Sequence, residues 1–180
     1  MNDDATLVAR LRSPHTREAA FRELVNQYQR PLYYHIRRIV LNHDDADDVL
    51  QNTFIKVFRG IDGFKEESKL YTWLYRIATN ESISFLNQKA KKYQVTSEAL
   101  VQSATENLAA DVYFEGDEFE LALQKAIHQL PPKQQLVFKM KYFEDMTYED
   151  LSEILETSVG ALKASYHHAV KKIEEILTSN

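Results

Sequence analysis

The sequence predicts an all-α protein of two small helical domains joined by a flexible acidic linker, and three observations predict it. Hydrophobic residues recur with helical period over long runs, and no stretch of comparable strength alternates as a strand does. Only four Gly and four Pro stand in 180 residues, too little turn chemistry for a fold of many short strands. Charge is unevenly spread: residues 93 to 120 carry no Lys or Arg and seven Asp or Glu, a one-signed stretch of weak apolar periodicity that reads as linker. The expected domains are residues 1–92 and 119–180, with the linker over 93–118.

Each helix has its own signature. Thr6 is placed to cap a short first helix carrying Leu7, Val8 and Leu11, which Pro14 interrupts. From Arg17, Ala20, Phe21, Leu24, Val25 and Tyr28 keep helical spacing, which resumes after Pro31 with Leu32, Ile36, Ile39 and Val40, so Pro31 is expected to kink or divide this helix. Asn42 precedes a third helix with carboxylates in its first turn and a buried stripe of Ala46, Val49, Leu50, Thr53, Phe54 and Val57. Gly60 and Gly63 flank the loop that ends it, and a fourth helix over about 69–91 buries Leu70, Leu74, Ile77, Ala78 and Phe85.

Beyond the linker, Phe119, Leu123, Ala126, Ile127 and Leu130 form a helix that Pro131 stops and Pro132 restarts, with Leu136, Val137 and Met140 following. Thr147 and Asp150, three apart, resemble a capping box ahead of Leu151, Ile154 and Leu155. After the turn at 156–158 a last helix carries Val159, Leu162, Tyr166, Ala169, Ile173 and Leu177 on one side. A short capped helix, a tight turn and a longer helix make a helix-turn-helix. At 100° per residue, Gly160, Ala161, Ala164, His167, His168 and Lys171 face away from the buried stripe, with Lys163 at its margin. Small residues there allow close approach to a DNA groove, the lysines suit phosphate or guanine, and the Ala methyls suit thymine.

Composition excludes several functions. Without Cys there is no disulfide framework, thiolate metal site or thiol nucleophile, as a reducing cytoplasm favours. The N-terminus is acidic and only briefly apolar, so no signal peptide is expected, and no run approaches a membrane span. Direct membrane insertion is therefore not expected, and the cytoplasm is the expected location. No nucleophile with a paired base, phosphate loop or carboxylate pair is evident, so neither an enzyme, a cofactor nor a small-molecule substrate is expected. His167 and His168 point about 100° apart on a helix and make no metal site. A net charge of −5 argues against a nucleic-acid binder that works alone. Yet the stretch from Asp44 to Asn80 has an acidic helix suited to a basic protein surface. It continues into a loop with Lys and Ser and then Tyr71, Trp73, Tyr75, Arg76 and Asn80, which suit unstacked bases.

The words DADDVLQNTFIKVFRGIDGF, YTWLYRIATN and QLPPKQQLVFKMKYFEDMTYEDLSEILETSVGALKASYHHAVKKI stand in that order along the chain. With them the first domain resembles region 2, and the last sixty or so residues resemble region 4, of bacterial sigma factors of the sigma-70 family. The likeness is to the short extracytoplasmic-function (ECF) type. It implies a protein that recruits core RNA polymerase to promoter DNA and helps melt it. Asp48, Gln51 and Asn52, on one helix face, would dock on the clamp coiled coil of the largest polymerase subunit. The loop 61–69 and the next helix would meet the −10 element, with Asp62, Phe64, Lys65 and Ser68 around an extruded base and Tyr71, Tyr75, Arg76 and Asn80 on the helix. Trp73 stays open between a core and a base-stacking role. The second domain would read the −35 element through Gly160, Ala161, Lys163, Ala164, His167, His168 and Lys171.

Two such DNA elements lie about two helical turns apart, roughly 70 Å. Glu115, Asp117 and Glu118 of the linker either mimic nucleic-acid charge inside polymerase or belong to a solvated tether. The family also implies an anti-sigma factor as a partner. The alternative reading is a two-domain helix-turn-helix regulator that binds operators as a dimer without core polymerase.

Overall fold

The computed structural model describes residues 3–179, and no strand occurs among them. Helix α1 (Asp3–Arg12) starts before Thr6, which lies inside it. Asp3 and Asp4 fill the first turn instead, where the helix dipole favours carboxylates. Helix α2 (Arg17–Val40) runs through Pro31 undivided. That residue is exposed, and its missing N–H leaves a single gap in the hydrogen-bond ladder while Tyr28 and Leu32 stay buried on either side. The helix stops at Leu41, whose φ of 59° is left-handed and whose N–H donates to the Arg37 carbonyl. A non-glycine residue there costs about 1 kcal/mol, and burial of the leucine side chain offsets it.

Helix α3 (His43–Gly60) begins as expected, with Asn42 Oδ1 accepting from the Asp45 N–H at 3.0 Å. A 3₁₀ turn at Ile61–Gly63 and an irregular stretch lead into α4 (Leu70–Tyr93). Helices α2, α3 and α4 pack on one another, with α1 against α2.

The acidic segment contains helical structure that its composition does not predict. Helix α5 (Ser97–Glu106) is capped by Thr96, which accepts from the Ala99 N–H at 3.1 Å, and a 3₁₀ turn follows at Leu108–Ala110. Leu108 is buried, Asp111 pairs with Arg37, and the Tyr113 ring stacks on His43 with centroids 3.7 Å apart. Within α5 only Thr105 is buried, so no apolar stripe marks the helix in sequence.

The last four helices are α6 (Glu118–His128), α7 (Pro132–Tyr142), α8 (Tyr148–Leu155) and α9 (Val159–Thr178). Thr147 caps α8, accepting from the Asp150 N–H at 3.1 Å. The reciprocal half of the expected capping box is not made, because the Asp150 carboxylate turns instead to Lys69 Nζ at 3.0 Å. Ser158 caps α9 through the Ala161 N–H. Leu162, Ala169 and Ile173 are buried on α9, and Val159, Tyr166 and Leu177 are half-buried beside them.

The core is shared between the two halves. Leu24, Leu32, Ile36, Val49, Leu70 and Leu74 form one cluster with Val137, Met140, Met146, Leu151, Ile154 and Leu162. A smaller cluster gathers Leu123, Ala126, Ile127, Leu130, Phe138, Ala169 and Ile173. Helix α7 therefore serves both, sending Val137 and Met140 one way and Phe138 the other. Helix α8 packs directly on α4.

Candidate functional site

Three surfaces hold the residues that the sequence singles out. On α3, Asp48, Gln51 and Asn52 are all exposed on one face. The same spacing continues to Ile55 and Phe58, which are 47% and 41% exposed. Sequence reading passed over these two, although Ile55 stands three residues after Asn52 and Phe58 three after Ile55. Two neighbouring carboxylates are engaged: Asp45 pairs with Lys89 at 2.5 Å and Asp47 lies 3.4 Å from His43. Asp48 has no ion-pair partner among the described residues, so its charge is available to a basic surface.

The second surface is the loop 61–69 with the outer face of α4. Arg12, at the end of α1, ties the loop down: its guanidinium donates to the carbonyls of Ile61 and Phe64 and pairs with Glu66 at 2.7 Å. Glu66 sits at φ 59°. Arg17 pairs with Asp62 at 3.1 Å, donates to the Phe58 carbonyl and lies over the Phe58 ring. Neither arginine was legible as a loop anchor, since both partners lie tens of residues away. Lys65 is exposed and Ser68 half-exposed.

Phe64 corrects the expected lining. It is 5% exposed and packs against Trp73, with ring centroids 5.0 Å apart, because a loop this short needs an apolar anchor. Trp73 itself packs on the core at its edge, with its ring beside Gly60. Along α4, Tyr75 is buried and Tyr71 half-buried, their rings 4.5 Å apart. Burial, and secondarily the Glu144 carboxylate, pushes both phenols above their ordinary pKa, so they act only as neutral hydroxyls. Asn80 is exposed and Arg76 half-buried. Arg76 donates from Nε and Nη2 to the Glu153 carbonyl of α8 at 3.0 and 2.6 Å.

The third surface is α9. Gly160, Ala161, Lys163, Ala164, His167, His168 and Lys171 are all exposed, and a Cβ on Gly160 would meet nothing within 4 Å. No group of three or more potential metal ligands occurs among the described residues, and none of their helices is long and apolar enough to cross a membrane.

The sigma-70 region 2 family profile matches residues 24–92, and the sigma-70 region 4 profile matches residues 120–173. The ECF RNA polymerase sigma factor SigW of Bacillus subtilis is 31% identical, covering 88% of this chain and 89% of its own. The RNA polymerase sigma-H factor of Pseudomonas aeruginosa is 30% identical over 97% of this chain and 93% of its own. The chain belongs to the ECF group of the sigma-70 family. Solved structures of CnrH in complex with the cytosolic domain of CnrY, and of RpoE with the anti-sigma factor NepR from Bartonella quintana, share its fold. Their TM-scores are 0.73 and 0.67 at 22% and 20% identity, covering 98% and 88% of this chain and 98% and 96% of their own. In this ECF sigma factor the region 2 match takes in all of α3, the loop and nearly all of α4. Arg12 and Arg17, which hold the loop, lie outside it.

Proposed function

We propose that this sigma factor acts as the promoter-specificity subunit of RNA polymerase, in the cytoplasm and without an enzymatic activity of its own. Residues 1–92 dock on core polymerase and open the −10 element, and residues 119–180 read the −35 element. Asp48, Gln51 and Asn52 supply hydrogen bonds and one carboxylate to a basic surface on the clamp coiled coil, and Ile55 and Phe58 supply the apolar area beside them. The single observation that carries this docking role is that exposed mixed face on α3, with apolar side chains left open next to a carboxylate that makes no ion pair among the described residues.

Lys65, Ser68 and Asn80 offer donors and acceptors to an extruded base and its backbone, while Phe64 and Trp73 support the loop from below. On α9 the exposed small and basic residues fit a groove-facing role. An anti-sigma polypeptide is a further expected partner, as NepR is for the structural neighbour RpoE.

The test is reconstituted transcription with purified core enzyme. Wild-type protein is expected to give promoter-specific starts only when core is present. Asp48→Ala should weaken core binding about tenfold, the scale of one charged contact at an interface. Asn80→Ala should leave core binding intact and reduce permanganate reactivity of the −10 strand. Operator binding as a dimer without core would support the regulator reading instead, and unaltered transcription by both variants would remove these residue assignments.

A further inference from the structure

Beside the seam where α8 meets α4 lies an open cleft of about 540 Å³, within the range of about 300–1,000 Å³ usual for small-molecule sites. Helices α4, α5, α7 and α8 and the end of α6 supply most of its walls, and each wall is tied to its neighbour. Thr79 of α4 donates to the Tyr75 carbonyl and meets His35 Nε2 at 2.8 Å, while Glu144 accepts from His35 Nδ1 at 2.9 Å. Ser97, at the start of α5, donates to Asn87 Oδ1 at 2.7 Å. At the α6–α7 corner, Gln135 Nε2 donates to the carbonyls of His128 and Leu130 at 3.1 and 2.8 Å. The cleft is thus largely pre-formed.

Its lining divides by chemistry. Ile39, Ile83, Leu86, Val101, Leu136 and Ile154 make it chiefly apolar. His128 and Lys139 also line it, and the protein alone satisfies neither. The His128 Nδ1 is buried with no hydrogen-bond partner among the described residues. Lys139 is 5% exposed, and its ammonium, a triple donor, has only the Arg38 carbonyl, at 2.7 Å, as partner among those residues. Burial, and then the Arg38 charge, lowers its pKa to about 8, with no carboxylate to offset them. Burial, and then the Lys139 charge, lowers the pKa of the His128 ring, which sets these two groups close together. A buried ammonium without a counter-ion and an orphaned ring nitrogen both cost stability. The remaining charged lining residues, Glu98, Lys133 and Glu156, are exposed to water, which screens them.

We propose that the cleft binds a small lipophilic monocarboxylic acid, its carboxylate received by Lys139 and His128 and its apolar body laid against α4, α5 and α7. Other ligand classes fit less well. A cation would meet the Lys139 charge. A neutral apolar molecule would leave both polar groups unsatisfied, and a phosphate would bring a second negative charge to a site with one buried cation. One carboxylate supplies one counter-charge and acceptors for both donors, given a neutral imidazole with its proton on Nδ1. The bound acid would stabilise the folded chain by mass action. The inference stands apart from any role of α4 in DNA opening.

Decanoate, 1-decanol and acetate, titrated calorimetrically into the full-length protein, test it. Decanoate should saturate one site, with 1-decanol weaker by about tenfold or more and acetate undetectable at the same concentrations. Lys139→Met and His128→Ala should each weaken decanoate about tenfold, the scale of a hydrogen bond to a charged group. Ile83→Trp, at a position 37% exposed, should fill the cleft and abolish binding. Neither Lys139→Met nor Ile83→Trp is expected to lower the melting temperature, so loss of binding reads the site and not the fold. At pH 8, where Lys139 is close to half protonated in the free protein, decanoate should bring uptake of about half a proton. Titrations in buffers of different ionisation enthalpy read that uptake, and Lys139→Met should remove it.

Equal affinity for decanoate and 1-decanol overturns the proposal, since the cleft would then be an apolar surface only. So does the absence of saturable decanoate binding, binding that survives Ile83→Trp, or proton uptake that persists in Lys139→Met.

Discussion

Arg12 is the residue on which the loop 61–69 depends most. One guanidinium reaches Ile61, Phe64 and Glu66, so its loss frees backbone on both sides of Phe64. Arg12→Ala is expected to lower promoter opening about tenfold through misplacement of the loop, with core affinity unchanged because α3 is untouched. Potassium permanganate footprints beside a core-binding titration would separate the two.

Lys139 makes a different demand. Its side chain titrates near 10.5 when unfolded and at about 8 in the folded chain, so between those values the unfolded state binds more protons. Wild-type stability should therefore rise as pH goes from 8 toward 10.5. Lys139→Met removes a penalty of about 3 kcal/mol at pH 7, less the lost bond to Arg38. Its melting temperature is expected above wild type at pH 7, with the difference shrinking by pH 10. Calorimetry at the two pH values checks the sign.

At the scale of elements, the helices differ in how much they depend on local signals. Helix α9 relies on the cap of its first turn together with its inner stripe, so Ser158→Ala should cost about 1 kcal/mol through the lost cap. Denaturant titration would register it as a lower midpoint. Caps of this kind were legible at Asn42 and Thr147 because the accepting side chain and the N–H that donates to it lie within three residues, whereas Ser158 was read only as part of a turn. Helical periodicity likewise marked every helix that buries a stripe. Helix α5 escaped notice for the converse reason: it buries one threonine, and its order comes from Thr96, Leu108, and the pairing of Asp111 with Arg37. Asp150 was read as a local capping partner, but Lys69, 81 residues earlier, holds its carboxylate. The outward face of α9 followed from rotation alone, and the exposed face of α3 was found only in part, since Ile55 and Phe58 were not singled out.

For the molecule as a whole, the division into two domains matches the two family segments, whereas their apposition had no signature in the chain. His35 and Glu144 are separated by 109 residues, and neither type nor spacing announces the pair. What composition did announce was a protein too acidic to hold DNA alone. Part of that acidity now has a place, with Asp150 against Lys69 and Glu153 against Thr72. Beside the seam lies the open cleft of about 540 Å³, lined by Asn80, Ile83, Val101, His128, Leu136 and Ile154. There the His128 Nδ1 has no hydrogen-bond partner among the described residues, and burial, with Lys139 nearby, lowers the pKa of that ring.

Helix α5 has a consequence for length. Coiled, its ten residues span about 15 Å; drawn out they span about 33 Å. The segment between α4 and α6 thus stores close to 20 Å of slack, and a taut tether of about 60 Å becomes one of nearly 80 Å when the helix melts. Promoter spacing and α5 stability are then one variable: whatever holds the coil shortens the gap the two domains can bridge. Hydrogen exchange should find the α5 amides protected in the free protein and fast in the promoter complex, and equal protection in both would show that the coil survives and the reach comes from elsewhere.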